Sequence, residues 1–531
     1  MMKNRYTFFN YDLVFALGYL LLCFLTYSNS LHNDFLMDDY PMLIQNTGIG
    51  NTGFLQLDPQ SGKGQLYFRP LTHFLNLITY TFFGNSPFGY HIVNLFLFYL
   101  AGVTLYELLL WLFNDRKIAI LVSLFFCTHP INGVLVNYKN ATSYALLVVA
   151  INLSLIHQFM ISDKRSKFMD YSFSAVWFVV ALLCHEIAMV YPLYLVSALF
   201  FSRHYSLKQI FLRCRPFFVI LIFYLVFRMT YASLGTSVIS KITTSKIILP
   251  DYFATVTTLI FWYIQKLLTL QGIVLIWDTT TVQGQVVLWN FALGVSIVII
   301  YFLMRYCWRG EKQSLALSWF VLGILPVSFA CFSRPWFGFI IEPHWLIYAS
   351  IGFFILLAVG LDQLYALINK KLWACCLVAL TIFFVVHSRQ YNYLWGNQIR
   401  YCQYWSMISP NNFMPQFWLG HGYLETKNYK MAKVYFEKLL ERGITYEWTY
   451  GNLGLIEYHL KNYDQAIHYF TTTLRANPQR ADTYYYLGLI YFENNDFGKA
   501  KKFFMKALEL DDSLFDSKQK LELIEKKQKA I

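Results

Sequence analysis

Nine separate runs of about twenty mostly apolar residues constrain this chain more than any other feature. They fall at 11–30, 89–113, 117–136, 142–161, 216–234, 287–305, 314–332, 345–366 and 371–388. Each is long enough to cross the roughly 30 Å hydrocarbon core of a bilayer as a helix. A tenth apolar region, 171–201, is interrupted by His185-Glu186 and predicts two short helices with the polar pair at their turn. In lipid a helix satisfies its own backbone polar groups, so the expected fold class is all-α, a polytopic membrane helical bundle. Composition agrees: 57% of residues are hydrophobic and only 14% charged, which excludes an ordinary soluble enzyme.

The formal charge of +13 is spread through short segments between apolar runs and forms no nucleic-acid-binding face. Lys3 and Arg5, Arg116-Lys117, Lys164-Arg165-Lys167, Arg203 to Arg215, Arg305 to Lys312 and Lys370-Lys371 all become cytoplasmic if about eleven spans are drawn. The N-terminus is then inside, loops 31–88 and 235–286 are external, and everything after Ser388 is external. Segment 253–272 is apolar but carries Gln265 and Lys266, and is expected to be interfacial or re-entrant. Met1 to Ser30 lacks a small-residue cleavage site and reads as a retained anchor. The nine cysteines form no CxxC or Cys/His zinc pattern. Domain limits follow: 1–390 for the membrane domain, 391–414 for a linker and 415–531 for a soluble tail.

That tail repeats every 34 residues. Leu419-Gly420 recurs as Leu453-Gly454 and Leu487-Gly488, while Ala432, Ala466, Ala500 and Phe436, Phe470, Phe504 keep the same spacing. Two helices per repeat, small residues at their crossing and an aromatic plug between repeats constitute the tetratricopeptide pattern, an α-solenoid. Three repeats are expected, with Lys518 to Lys529 as a capping helix. Asn452 and Tyr484 to Tyr486 are candidates for a concave peptide-binding surface, and packing is the plainer role for the tyrosines.

Polar residues beside the external ends of the spans are candidates for chemistry. Asp38-Asp39 follows the first span; adjacent carboxylates there are costly to desolvate and raise each other's pKa. Proton transfer, cation binding and a solvated loop all remain open for them. Arg69 offers a guanidinium fork suited to phosphate, against a snorkelling helix start before Pro70. His91 and Asn94 share one helical face. His129 precedes Pro130 and serves equally as a terminator. Glu186 and Glu342 sit beside apolar helices, where a carboxylate requires a partner or a function. An ion pair with Arg69 or Arg334 is the plain alternative for both.

Phe35 to Tyr40 with Asn46, Tyr67 to Leu71, Phe83-Gly84 with Pro87, Gly89-Tyr90-His91 and Asn94, His129-Pro130, His185-Glu186, and Glu342 with Tyr348 and Ser350 resemble, in order, motifs of the transmembrane-and-tetratricopeptide O-mannosyltransferase family. That group belongs to the GT-C superfamily of integral-membrane glycosyltransferases, and the resemblance covers nearly the whole chain. Departures occur at Val134 and Thr142, where the family carries Glu and Arg, at His185 for Lys, and at Pro343 for Arg.

The resemblance implies a GT-C-like fold and transfer of a sugar from a polyprenyl- or dolichyl-phosphate carrier to Ser or Thr hydroxyls of exported protein. Asp38 would act as general base with Asp39 in support, or the reverse. Arg69 would hold the departing phosphate, and His91, Asn94, His129, Glu186 and Glu342 would contact substrate. No cofactor is required, and a divalent metal at the acidic pair has no specific support. The tetratricopeptide domain would receive the acceptor protein. The expected location is a bacterial inner membrane with a periplasmic C-terminal domain, the alternative being the endoplasmic reticulum with a lumenal one. Rival functions are an envelope oligosaccharide ligase or polymerase, and a non-enzymatic membrane-anchored scaffold.

Overall fold

A computed structural model of the chain describes residues 8–37, 69–161, 167–202, 205–231, 249–275, 277–279, 311–328, 339–410, 412–445, 447–511 and 514–529. The chain divides into two compact units, Met1–Asn397 and Gln398–Ile531. Both are helical; the described strands are one short antiparallel pair, β1 (Trp277–Thr279) with β2 (Phe339–Ile341).

The first unit contains α1 (Phe8–Tyr27), α2 (Pro70–Phe83), α3 (Pro87–Phe113), α4 (Arg116–Thr128), α5 (Thr142–Met160), α6 (Lys167–Cys184), α7 (Tyr191–Phe201), α8 (Leu207–Tyr231), α9 (Leu249–Thr269), α10 (Glu311–Ser328), α11 (Ile347–Leu367) and α12 (Lys370–Trp395). Six described segments are long and apolar enough to cross a membrane: Asp12–Ser30, Pro87–Phe113, Lys139–Met160, Leu207–Met229, Pro343–Leu367 and Lys370–Trp395. A seventh arises if α4 and Pro130–Asn137, bent by 60° at His129-Pro130, are one broken span. The expected run 117–136 is thus interrupted where proline removes a helix donor.

The expected run 287–305 lies outside the described residues. The interrupted region 171–201 forms two short helices, α6 and α7, with His185-Glu186 at the turn. Helix α2 begins at Pro70, the helix start that the sequence allows, within the stretch 31–88 expected to be external.

The ion pairs of this unit and an asparagine relay lie at its two ends. At one end Arg116 pairs with Asp12 at 3.4 Å, Lys117 with Asp362 at 2.7 Å, and Lys312 with Asp115. These bring together two of the basic segments expected on one side, Arg116-Lys117 and Arg305 to Lys312. At the other end a buried asparagine relay joins the chain after α1 to α12. Asn33 donates to Asn137 (3.1 Å), Asn137 donates to Asn392 (2.7 Å), and Asn392 donates to the Thr26 carbonyl (2.9 Å). Between the ends, α10 and α11 cross so closely that a Cβ on Gly323 would lie 2.3 Å from the Ala349 nitrogen, and one on Gly352 2.5 Å from the Ala316 carbonyl oxygen. Small residues at a crossing are how helices associate without a hydrophobic driving force. The α9 helix is not among the six long apolar segments. Its Tyr263 hydroxyl donates to Leu346 and its Leu267 carbonyl faces His129, both at the asparagine end.

The second unit begins earlier than expected. Residues 391–395 complete α12, and α13 (Gln398–Ile408) occupies much of the stretch expected to be a linker. Cys402 and Trp405 on α13 are buried, and Gln398 donates to the Trp418 carbonyl. Three helix pairs follow: α14 and α15 (Met414–Glu425, Tyr429–Glu441), α16 and α17 (Glu447–His459, Tyr463–Ala476), and α18 and α19 (Ala481–Glu493, Phe497–Leu510). The cap α20 (Phe515–Lys529) inserts Ile524 beside Ala500 and Phe504.

Repeat glycines have a steric reason. A Cβ on Gly420, Gly454 or Gly488 would stand 2.9, 2.6 or 2.7 Å from the ring of Phe436, Phe470 or Phe504. Tyr485 and Tyr486 pack against Phe504 and Phe470, which makes them packing residues.

Two outcomes follow for this unit. Gly454→Ala should destabilise the repeats by about 1–3 kcal/mol through overpacking, measured as the protease-resistance midpoint of the full chain in detergent; an unchanged midpoint would contradict the close crossing. Burial raises the Glu425 carboxyl from 4.5 to about 7. A raised folded-state value means the folded chain holds the proton more tightly, so repeat stability should fall as pH rises from 4.5 through 7, and Glu425→Gln should flatten that slope.

Candidate functional site

The asparagine end of the membrane unit collects charged and titratable side chains from segments far apart in sequence. Arg69, just before Pro70 starts α2, makes a bidentate bond to Glu186: Nε donates to Oε2 at 3.1 Å and a terminal nitrogen to Oε1 at 2.7 Å. Parallel guanidinium–carboxylate bonds fix orientation as well as charge. His185 precedes Glu186 and caps the turn, its Nδ1 accepting from the Ile187 N–H at 3.1 Å. The adjacent α8 brings buried Arg228 within electrostatic reach of His185 and Tyr224. Lys139, also buried, lies between Pro130–Asn137 and α5. On α2, burial lowers the His73 pKa, with the charges of Lys139 and Arg69 adding to the shift. The field at His73 is therefore positive.

A second histidine–carboxylate pair comes from the turn before α11. Glu342 Oε2 lies 2.9 Å from His344 Nε2. The Tyr144 ring stands between the two pairs, with centroids 4.2 Å from His185 and 4.4 Å from His344. All three rings are at most 4% exposed. Three chain-distant segments thus meet at one aromatic contact.

The remaining predicted residues are placed as follows. Asp38 and Asp39 lie outside the described residues, but Phe35, Leu36 and Met37 are buried and lead into that loop from this end. His91 directs Nδ1 to the Val136 carbonyl and Nε2 to the Asn33 carbonyl, both at 3.1 Å. Asn94 donates to Val136 and Tyr138 and accepts from Thr142. The imidazole of His129 caps its own turn through Nδ1 and reaches the Leu267 carbonyl through Nε2 at 3.0 Å.

These three buried residues spend their polar atoms tying segments together. Glu186 and Arg69 are brought together, and Glu342 joins them through Tyr144. Lys139, Tyr144 and Arg228 are additions that the sequence alone does not single out. Arg228 carried a usable signal, a lone charge inside the apolar run 216–234. No cluster of three or more potential His, Cys, Asp or Glu metal ligands occurs among the described residues.

Residues 416–442 and 445–513 match the tetratricopeptide repeat family. Both matches lie in the second unit. The C-terminal helix pairs are tetratricopeptide repeats. Among solved structures, the chain is similar to a MamA double mutant at 23% identity, with a TM-score of 0.23, covering 24% of this chain and 73% of that one. It is similar also to the Cut9–Hcn1 hetero-tetramer of APC/C at 14% identity, with a TM-score of 0.25, covering 85% of this chain and 96% of that one. No curated protein matches the chain. Tetratricopeptide solenoids present surfaces for protein segments, so protein–protein interaction is the function class carried by the C-terminal unit.

The Arg69–Glu186 bond predicts strong non-additivity. Arg69→Gln or Glu186→Gln alone should lower the unfolding midpoint by leaving a half-buried charge, and the double substitution should recover part of the loss. A coupling of about 1–3 kcal/mol is expected from a double-mutant cycle on thermal stability; additive losses would contradict the pairing.

Proposed function

We propose that this chain is a polytopic membrane glycosyltransferase. It moves a sugar from a polyprenyl-phosphate carrier to Ser or Thr hydroxyls of exported protein at the outer leaflet. In this reading about eleven spans carry the chain, the asparagine end faces outward, and the tetratricopeptide unit receives the acceptor protein. A bacterial inner membrane with a periplasmic repeat domain is the proposed location.

The observation that carries the reading is the convergence of Arg69, Lys139 and Arg228 with two histidine–carboxylate pairs at one end of an apolar bundle. Burying charge beside lipid is costly, and an anchor needs none of it. Transfer from a lipid phosphate requires positive charge where negative charge grows on the leaving oxygen, and this end supplies it. The acceptor hydroxyl needs a base as its proton departs, the role proposed for Asp38 with Asp39 in support. Arg69 enters as a phosphate ligand already oriented by Glu186. His91, Asn94 and His129 hold together the segments at this end.

A second reading, a membrane-anchored scaffold, draws on the tetratricopeptide repeats themselves. Transfer of labelled sugar from membranes to exported protein separates the two. Asp38→Asn or Asp39→Asn, at matched insertion and expression, should lower labelling by about 10²-fold or more. Labelling equal to that of the native chain in both variants would favour the scaffold.

A further inference from the structure

The hydrogen bonds of His185 and His344 fix which proton each ring carries. Because His185 Nδ1 accepts from the Ile187 N–H, a neutral ring carries its proton on Nε2. That Nε2 is buried and has no hydrogen-bond partner among the described residues. His344 is the mirror case: its Nε2 lies 2.9 Å from the Glu342 carboxylate and so carries the proton. Its Nδ1 is then a bare lone pair, also buried and without a hydrogen-bond partner among the described residues. One unmet donor and one unmet acceptor thus lie on rings that flank the same Tyr144, the first needing a partner that accepts and the second a partner that donates. A hydroxyl does both.

We propose that His185 Nε2–H and His344 Nδ1 bind hydroxyl groups of the carbohydrate on the lipid carrier, making this pair the sugar-recognition element of the site. The proposal rests on the glycosyltransferase reading. Proximity to charge favours the sugar over an acceptor side chain. His185 is joined in sequence to Glu186 and through it to Arg69, with Arg228 in electrostatic reach. A phosphate drawn to those cations carries its sugar one bond away, so the hydroxyls nearest the imidazoles belong to that sugar. Glu342 positions His344 by accepting its other proton, and the Ile187 N–H fixes His185 by donating to its other nitrogen. A site that hydrogen-bonds a hydroxyl discriminates strongly against analogues lacking it, because the buried protein groups are otherwise left unpaired.

Two substitutions remove the unmet nitrogen while keeping the local bond. His185→Asn preserves an acceptor at the Nδ1 position for Ile187, and His344→Gln preserves a donor at the Nε2 position for Glu342. The full-length protein in nanodiscs would be titrated with polyprenyl phosphate and with polyprenyl-phosphate mannose, glucose and N-acetylglucosamine. The native chain should bind at least one sugar lipid about tenfold more tightly than the sugar-free lipid, and each variant should lose that advantage while its affinity for polyprenyl phosphate stays unchanged.

Unchanged sugar preference in both variants would overturn the proposal while leaving the glycosyltransferase reading intact. Binding of none of the four lipids would overturn both. Loss instead of affinity for a threonine-rich acceptor peptide, with sugar preference retained, would assign the pair to the acceptor hydroxyl and overturn the sugar assignment. Should either variant fail to insert, monodeoxy analogues of the preferred sugar lipid on the native protein decide the matter. At least one deoxy position should cost about tenfold in affinity, and equal affinities at every position would contradict the proposal.

Discussion

A polar group among tightly packed apolar helices has to be paired or carried to an end of the bundle, and the first unit is organised by that requirement. Its described ion pairs and amide relays fall at the two ends of the helices, while small residues do the packing between. One end has simple salt bridges, Arg116 with Asp12 and Lys117 with Asp362. The other has a denser set: the Asn33–Asn137–Asn392 relay, the Arg69–Glu186 fork and the two histidine–carboxylate pairs around Tyr144. Simple pairing suffices to terminate helices. The second end goes further and brings two imidazole nitrogens without a hydrogen-bond partner among the described residues to rings that flank one tyrosine.

Much of this was legible in sequence where one local rule decides the outcome. The 34-residue spacing of Leu-Gly, Ala and Phe predicts the helix pairs, because a Cβ at Gly454 would strike Phe470 whatever surrounds it. The polar pair His185-Glu186 inside an apolar region predicts a turn between two short helices, and one forms. Other features depend on partners distant in the chain. The sequence offers Arg69 or Arg334 as an ion partner for Glu186, and it is the fold that selects Arg69, 117 residues away. Nothing local to Tyr144 identifies it as the ring between two histidines. The same limit explains His91, Asn94 and His129, whose residue types suit a cleft but whose atoms are bonded to carbonyls of other segments. The break at His129-Pro130 was visible as a terminator, yet its effect, a 60° bend within an apolar run, depends on the packing around it.

The two units divide the work along physical lines. The repeat unit is built from local contacts, each helix pair resting on the next, and its family match covers 416–442 and 445–513. The first unit is built from long-range contacts, and its charged and titratable side chains meet where those contacts converge. Under the proposed function, the repeat unit holds protein and the membrane unit holds a lipid-linked sugar.

Binding of a lipid-linked sugar phosphate at the asparagine end of the membrane unit is tested most directly by photocrosslinking. A polyprenyl-phosphate sugar carrying a diazirine on the sugar would be irradiated with the full-length protein in nanodiscs and the adducts mapped by mass spectrometry. Adducts should concentrate on peptides containing Arg69, Lys139, His185, Arg228 and His344, and excess unlabelled sugar lipid should suppress them. Adducts spread evenly over lipid-facing helices, or unaffected by that competitor, would contradict a sugar-phosphate site at this end.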